Sequence, residues 1–213
     1  MCVHNSYNYM YLSNFRCFRL ILEKRPDWIL YQDEEQKTPL HWAASMGYLE
    51  GVRNLLGKNT STAMERDKDG FFPIHTASAK GHVHAIQELL QHWPYVEEMQ
   101  NSKGQNILYV AATSGKLNVI KYILGTPGLE SLINERDKDG NTMHWHPKLV
   151  SALTWDNRVD LRLVNNDGLT ALDIAECYME NSSTFRQVCL SKRNLLSNCF
   201  YHQINNNKHI FGI

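Results

Sequence analysis

Two histidine pairs are the side chains in this sequence that most suggest chemistry. His82/His84 and His144/His146 each have the two-residue spacing that could place both rings on one metal if they lay on a strand. His82 and His84 instead flank the predicted start of a helix, and no acidic or cysteine partner is fixed nearby. Zinc sites use three or four protein ligands. The sequence therefore predicts no metal site at either pair.

Three other groups of residues could suggest a catalytic or binding site, but their residue types and spacing do not fit one. Cys177 and Asp173 could share a helix, but no base is positioned to activate the thiol, which favours a buried structural cysteine. Gly57-Lys58-Asn59 lacks the glycine series and the following Ser or Thr of a phosphate-binding loop. Asp33-Glu34-Glu35 lacks the spacing of a calcium loop and is typical of a solvated loop. We expect no enzyme activity and no cofactor.

The composition indicates a folded globular protein and disfavours a nucleic-acid-binding one. The chain has 213 residues, 43% hydrophobic and 21% charged, which is typical of a folded globular protein. Lys and Arg number 22, as do Asp and Glu, but every acid lies between Glu23 and Glu180. The acidic middle disfavours nucleic-acid binding, which depends on many phosphate contacts from Lys and Arg.

Cysteine usage and hydropathy point to the cytoplasm. The five cysteines include no CxxC pair, so neither a disulfide framework nor a zinc site is indicated. No apolar run approaches the ~18 residues of a membrane span, and residues 1–15 lack the pattern of a secretory signal. We expect a cytoplasmic protein without a membrane span of its own.

Internal repetition is the strongest signal in the sequence. The hexapeptide Glu-Arg-Asp-Lys-Asp-Gly occurs at 65–70 and again at 135–140. An apolar trio recurs every 34 residues, and a glycine keeps the same step. The trios are Phe18/Ile21/Leu22, Val52/Leu55/Leu56, Ile86/Leu89/Leu90 and Ile120/Ile123/Leu124, and the glycines are Gly47, Gly81 and Gly115.

Each repeat contains the signals of two helices. Thr38 is a good N-cap, and Pro39 suits the first turn of a helix that Gly47 ends. Residues 49–56 carry apolar side chains on one face of a second helix, and a polar loop follows. Such a unit cannot bury its apolar face alone, so it must stack on its neighbours.

The motif Thr38-Pro39-Leu40-His41-Trp42-Ala43-Ala44 resembles the ankyrin repeat, with related forms at 73–78, 107–112 and 167–175. The resemblance covers residues 15–180 and implies an all-α solenoid of stacked helix-turn-helix units joined by hairpin-like loops. We expect His41 and His75 to hydrogen-bond within the turn that starts each helix. The bond between Thr38 and His41 should help to fix adjacent units.

The fourth unit departs from this pattern. It has lost six residues between Gly140 and Val150, so we expect residues 15–140 to fold as one unit and 141–213 to open more readily. The predicted divisions are an irregular segment at 1–14, a half-repeat at 15–32, repeats at 33–66, 67–100 and 101–136, a shortened repeat at 137–164, a terminal repeat at 165–180, and an irregular, disordered tail at 181–213.

The resemblance implies non-catalytic protein binding, with contacts from the loop tips and the first helices. A role in solubility alone is the other interpretation of each tip residue. The partner is expected to be a protein, and a full-length ankyrin paralogue is one candidate. The predicted tip residues are Glu65, Arg66, Asp67, Lys68, Asp69, Ser102, Lys103, Glu135, Arg136, Asp137, Lys138 and Asp139.

A narrower resemblance is to plant ankyrin proteins of the accelerated-cell-death type. It rests on 22–28, on the repeated Arg-Asp-Lys-Asp-Gly and on 164–175. This resemblance implies a role in defence or stress signalling. Because those relatives carry a C-terminal membrane domain, the alternative is a truncated fragment of a membrane-anchored signalling protein, with a membrane-associated location and little independent function.

Overall fold

The computed structural model of the chain describes residue 24 and residues 26–143, 156–160 and 162–171. The chain divides into two compact units, Met1–Leu132 and Ile133–Ile213. Within the described residues there are six α-helices, all in the first unit, and no strand apart from an isolated bridge between Val164 and Thr170. No helix among these residues has the length and apolarity needed to cross a bilayer.

The helices follow one another in pairs, as the repeat predicts. Each first helix packs on the second helix of its own pair, and the first helices also pack in series, as do the second helices. Short 3-10 helices occupy four of the connecting segments. The helices are α1 (Pro39–Met46), α2 (Leu49–Lys58), α3 (Pro73–Lys80), α4 (Val83–His92), α5 (Ile107–Thr113) and α6 (Leu117–Leu124), and the 3-10 helices are η1 (Pro26–Leu30), η2 (Thr60–Met64), η3 (Val96–Glu98) and η4 (Glu130–Ile133).

A proline starts helices α1 and α3, and a glycine ends each of them. Pro39 and Pro73 occupy the first turn, where the missing N–H costs nothing. Gly47 has φ 65° and donates its N–H to Ala44, so it caps α1 in the left-handed conformation. A Cβ at this position would lie 2.6 Å from the ring of His82. Glycine is therefore required here both by backbone conformation and by space.

The apolar trios form the core of the first unit. Val52, Leu55 and Leu56 of α2 are fully buried, as are the first two members of the later trios. Leu90 and Leu124, the last members of those trios, are only half-buried. The trio at 18–22 lies outside the described residues. The prediction of a buried trio is thus confirmed in full for α2, and for the first two members of the trio in α4 and α6.

Several predicted features lie outside the described residues. These are the histidine pair at 144 and 146, the pair Cys177 and Asp173, both irregular ends, and most of the segment in which the fourth unit is short. The repeat boundaries and the easier opening of residues 141–213 stay predictions.

Candidate interaction surface

Five loops with the same backbone geometry connect the repeats. In each, the N–H of the first residue donates to the carbonyl of the fifth at 2.8–3.1 Å, and the N–H of the fourth donates back to the carbonyl of the first at 2.8–3.0 Å. The fourth residue has a positive φ, which four glycines satisfy and Gln36 adopts at 58°. The loops are 33–37, 67–71, 101–105, 137–141 and 165–169.

The first residue of every loop is Asp or Asn, and its side chain accepts hydrogen bonds from backbone N–H groups of the same loop. The Oδ1 atom of Asp67 accepts the N–H groups of Asp69 and Phe71 at 3.0 and 2.9 Å. The other four loops repeat this pair of hydrogen bonds. Short polar side chains of this type stabilise turns by bonding to nearby backbone N–H groups. Asp67 is only 5% exposed and Asp137 only 9%, so these two predicted tip residues hold the loops in shape.

Removing this carboxylate should destabilise the protein, whereas replacing it with an amide should not. We expect Asp67→Ala to lower the free energy of unfolding by about 2 kcal/mol, because it leaves two backbone N–H groups unpaired. Asp67→Asn should cost about 0.5 kcal/mol or less, because Asn165 already fills the same position and donates its amide to Asp167, the counterpart of Asp69. Urea denaturation of both variants measures the difference, and equal losses would contradict the assignment.

Hydrogen bonds also connect successive loops within each unit. In the first unit, the N–H of Lys68 donates to the carbonyl of Glu35 at 3.0 Å, and the hydroxyl of Ser102 donates to the carbonyl of Asp69. In the second unit, the N–H of Asn166 donates to the carbonyl of Asp139 at 3.0 Å. The first residues of the loops at 137 and 165 are 28 positions apart instead of 34. The loss of six residues therefore leaves the connection between these two loops intact.

His41 in α1 and His75 in α3 hydrogen-bond to the loop that follows their repeat. The Nδ1 atom of His41 accepts the N–H of Thr38 at 3.1 Å, and its Nε2–H donates to the carbonyl of Phe71 at 2.9 Å. His75 makes the same two bonds, at 3.2 Å to the N–H of Phe72 and 3.1 Å to the carbonyl of Gln105. These bonds confirm the predicted role of both histidines, and the second bond joins adjacent repeats.

Burial lowers the pKa of both rings. It outweighs the hydrogen bond from His75 to the Gln105 carbonyl and brings the pKa of His75 down to about 4. Burial also lowers the pKa of His41, against the raising effect of its bond to the Phe71 carbonyl. Each ring is therefore neutral at pH 7 and can accept one hydrogen bond while donating the other.

The third repeat uses a residue that the sequence analysis missed. Tyr109 stands where the earlier repeats have histidine, and Asn106 makes two different bonds, one to the helix start and one to η4. Its Oδ1 accepts the N–H of Tyr109 at 2.8 Å, and its Nδ2 donates to the carbonyl of Leu132 at 3.0 Å. The available signal was the asparagine at the position that Thr38 holds in the first repeat.

The histidines considered for metal binding have other partners. The Nε2–H of His82 donates to the carbonyl of Ser45 at 3.0 Å, while Nδ1 of His84 is 3.0 Å from Oε1 of Gln87. Asp33 caps its own loop and accepts the indole N–H of Trp42 at 2.9 Å. Among the residues that the structure describes, no three His, Cys, Asp or Glu side chains are grouped to hold a metal.

Most of the predicted tip residues face solvent. Glu65 and Glu135 are half-buried and Asp67 and Asp137 are buried, while the other eight are exposed. The loop connections bring the tips of 67–71 and 101–105 together with that of 33–37, whose Glu35 lies 3.8 Å from the Nζ of Lys68. The tips of 137–141 and 165–169 form a second group within the second unit. The exposed residues are Arg66, Lys68, Asp69, Ser102, Lys103, Arg136, Lys138 and Asp139.

Comparison with known families gives two matches. A family described as ankyrin repeats (3 copies) matches residues 59–137. A second, described as ankyrin repeats (many copies), matches residues 8–56. Together the two matches cover more than half of the chain. A search of curated proteins found no match.

Proposed function

Because the chain belongs to the ankyrin-repeat family, whose repeats are protein–protein interaction modules, we propose that its loop tips bind a protein partner. Proteins built from such repeats are generally scaffolds without catalytic activity. In this proposal each unit offers its own group of the exposed tip side chains named above, and the first helices supply further contacts.

One observation supports this proposal: charged side chains are exposed on loops whose shape is fixed by hydrogen bonds within the loop. Backbone and Asp or Asn side-chain bonds fix each loop, so little conformational entropy remains to be lost on binding. Lys68, Lys103 and Lys138 carry their charges on exposed side chains. The side chains of Lys68 and Glu35 are 63% and 56% exposed. Rim charges of this kind steer association and select partners.

Reversing the charge of the tip lysines should therefore weaken partner capture. We expect Lys68→Glu, Lys103→Glu and Lys138→Glu, combined in the full chain, to reduce capture of partners from a native lysate about tenfold or more. The reason is that steering depends on charge complementarity across the interface. Quantitative mass spectrometry of proteins retained by the immobilised wild type and variant measures the effect.

A matched control changes the same number of charges elsewhere. Lys24, Lys58 and Lys121 are exposed and lie away from the loops, so reversing these three should leave capture unchanged. Circular dichroism should show wild-type helix content for both variants. The loop-tip assignment would be wrong if the tip variant retained its partners as fully as the control.

The narrower resemblance at 22–28 and 164–175 supports a more specific form of the proposal. In that form, the protein acts in the cytoplasm in plant defence or stress signalling, and one partner is a full-length ankyrin paralogue. Co-precipitation of a paralogue that is lost with the tip variant would support this form. Captured proteins that include no ankyrin chain would count against it.

A further inference from the structure

The hexapeptide Glu-Arg-Asp-Lys-Asp-Gly occurs twice, and its first arginine is held tightly within the first unit. The Nη1 group of Arg66 donates to the carbonyl of Gln100 at 2.9 Å and to that of Gly70 at 3.4 Å. Its guanidinium also lies 4.3 Å from the centre of the Phe72 ring. Arg66 thus joins its own loop to the segment before the following one, and these contacts hold its guanidinium in place.

The second arginine has none of these contacts. Among the residues that the structure describes, the Arg136 side chain makes no hydrogen bond, ion pair or ring contact, and it is exposed. Thr142 stands where Phe72 follows the first hexapeptide, so that position supplies no ring for the guanidinium to pack on. Within the described part of the chain, the identical hexapeptides therefore present one engaged and one available guanidinium.

The lysines of the two hexapeptides differ in the same way. Nζ of Lys68 lies 3.8 Å from Oε1 of Glu35, whereas Lys138 has no side-chain partner within the described part of the chain. Asp137 lies between Arg136 and Lys138 in the sequence and is buried. Its carboxylate accepts hydrogen bonds from the N–H groups of Asp139 and Asn141. That carboxylate is therefore occupied within the loop, and the two cations flanking it face solvent.

We propose that Arg136 and Lys138 form a recognition point for carboxylate side chains of an acidic segment in the protein partner. This inference rests on the proposed function of the loop tips. A guanidinium binds a carboxylate through two parallel hydrogen bonds, and the ammonium adds a second charge. Neither group must give up an existing bond in order to bind. The hexapeptide also carries the carboxylates of Glu135, Asp137 and Asp139, which repel a dense run of acids, so its charge favours a partner whose acidic residues are spaced apart.

Matched substitutions in the two hexapeptides test this assignment. The probe is a synthetic peptide of four Glu-Gly-Ser repeats, titrated at low ionic strength into the labelled full chain and followed by nuclear magnetic resonance. We expect Arg136→Gln to weaken its binding about tenfold, and Lys138→Gln to weaken it less. Arg66→Gln changes net charge equally but should leave the dissociation constant unchanged, while lowering the melting temperature because it removes a contact between loops. A peptide with Gln in place of Glu should not bind.

Two results would overturn the inference. One is equal weakening by Arg136→Gln and Arg66→Gln, which indicates attraction by net charge alone. The other is equal binding of the Glu and Gln peptides. If either result occurs while the tip-lysine variant still loses its captured partners, the carboxylate site is wrong and the loop-tip function stands. If the tip-lysine variant keeps its partners, the proposed function itself is wrong.

Discussion

Replacing Leu89 with alanine should lower the free energy of unfolding by about 2–5 kcal/mol. Leu89 is 2% exposed on α4, and α4 packs against both α2 and α6. The substitution removes buried methyl groups and leaves a cavity in the middle of the series of second helices. Because a whole domain is stable by only ~5–15 kcal/mol, this single change should remove a large part of the total.

An exposed leucine in the same set of helices provides the control. Leu117 begins α6 and is 49% exposed, so Leu117→Ala should change the free energy of unfolding by about 0.5 kcal/mol or less. Urea denaturation followed by circular dichroism measures both variants at one pH. Similar losses for the two leucines would show that the second helices do not pack as described.

Acidification should destabilise the protein between pH 6.5 and pH 4 through its buried histidines. Burial lowers the pKa of folded His75 to about 4 from an ordinary value of 6.5. Above pH 6.5 the ring is neutral in both states, and its contribution to stability is fully present. As the pH falls below 6.5 the unfolded chain binds a proton that the folded chain does not, so unfolding becomes easier. The loss from His75 should reach on the order of 3 kcal/mol near pH 4, and His41 adds a loss in the same direction.

A pair of histidine variants separates this effect from general acid denaturation. His75→Gln should be less stable than the wild type at pH 7.5, because the bond to the Gln105 carbonyl is disturbed, but its stability should fall less steeply between pH 6.5 and pH 4. His84→Gln changes an exposed ring on α4 and should keep the wild-type slope. Unfolding curves at a series of pH values give the slopes. An unchanged slope in His75→Gln would contradict the argument.

The 34-residue period was enough to predict the helix pairs and their buried faces. Burial of Val52, Leu55 and Leu56 follows from their spacing, because only one face of a packed helix can be covered. Prolines and glycines likewise set the ends of α1 and α3, since their backbone preferences are local. The histidine bonds within the helix-start turns were predictable for the same reason. A role in joining adjacent repeats was predicted only for the first repeat, whereas both His41 and His75 bond to the next loop.

What the sequence determined about this protein is therefore what depends on neighbours along the chain: the helices, their ends and the polar loops between them. The tertiary structure decided the availability of the tip side chains. Arg66 and Arg136 stand in identical hexapeptides, yet among the residues that the structure describes only Arg66 has partners, a ring six positions away and a carbonyl 34 positions away. Local sequence cannot specify such contacts, because they depend on which residues the stacking of the following repeat brings within reach.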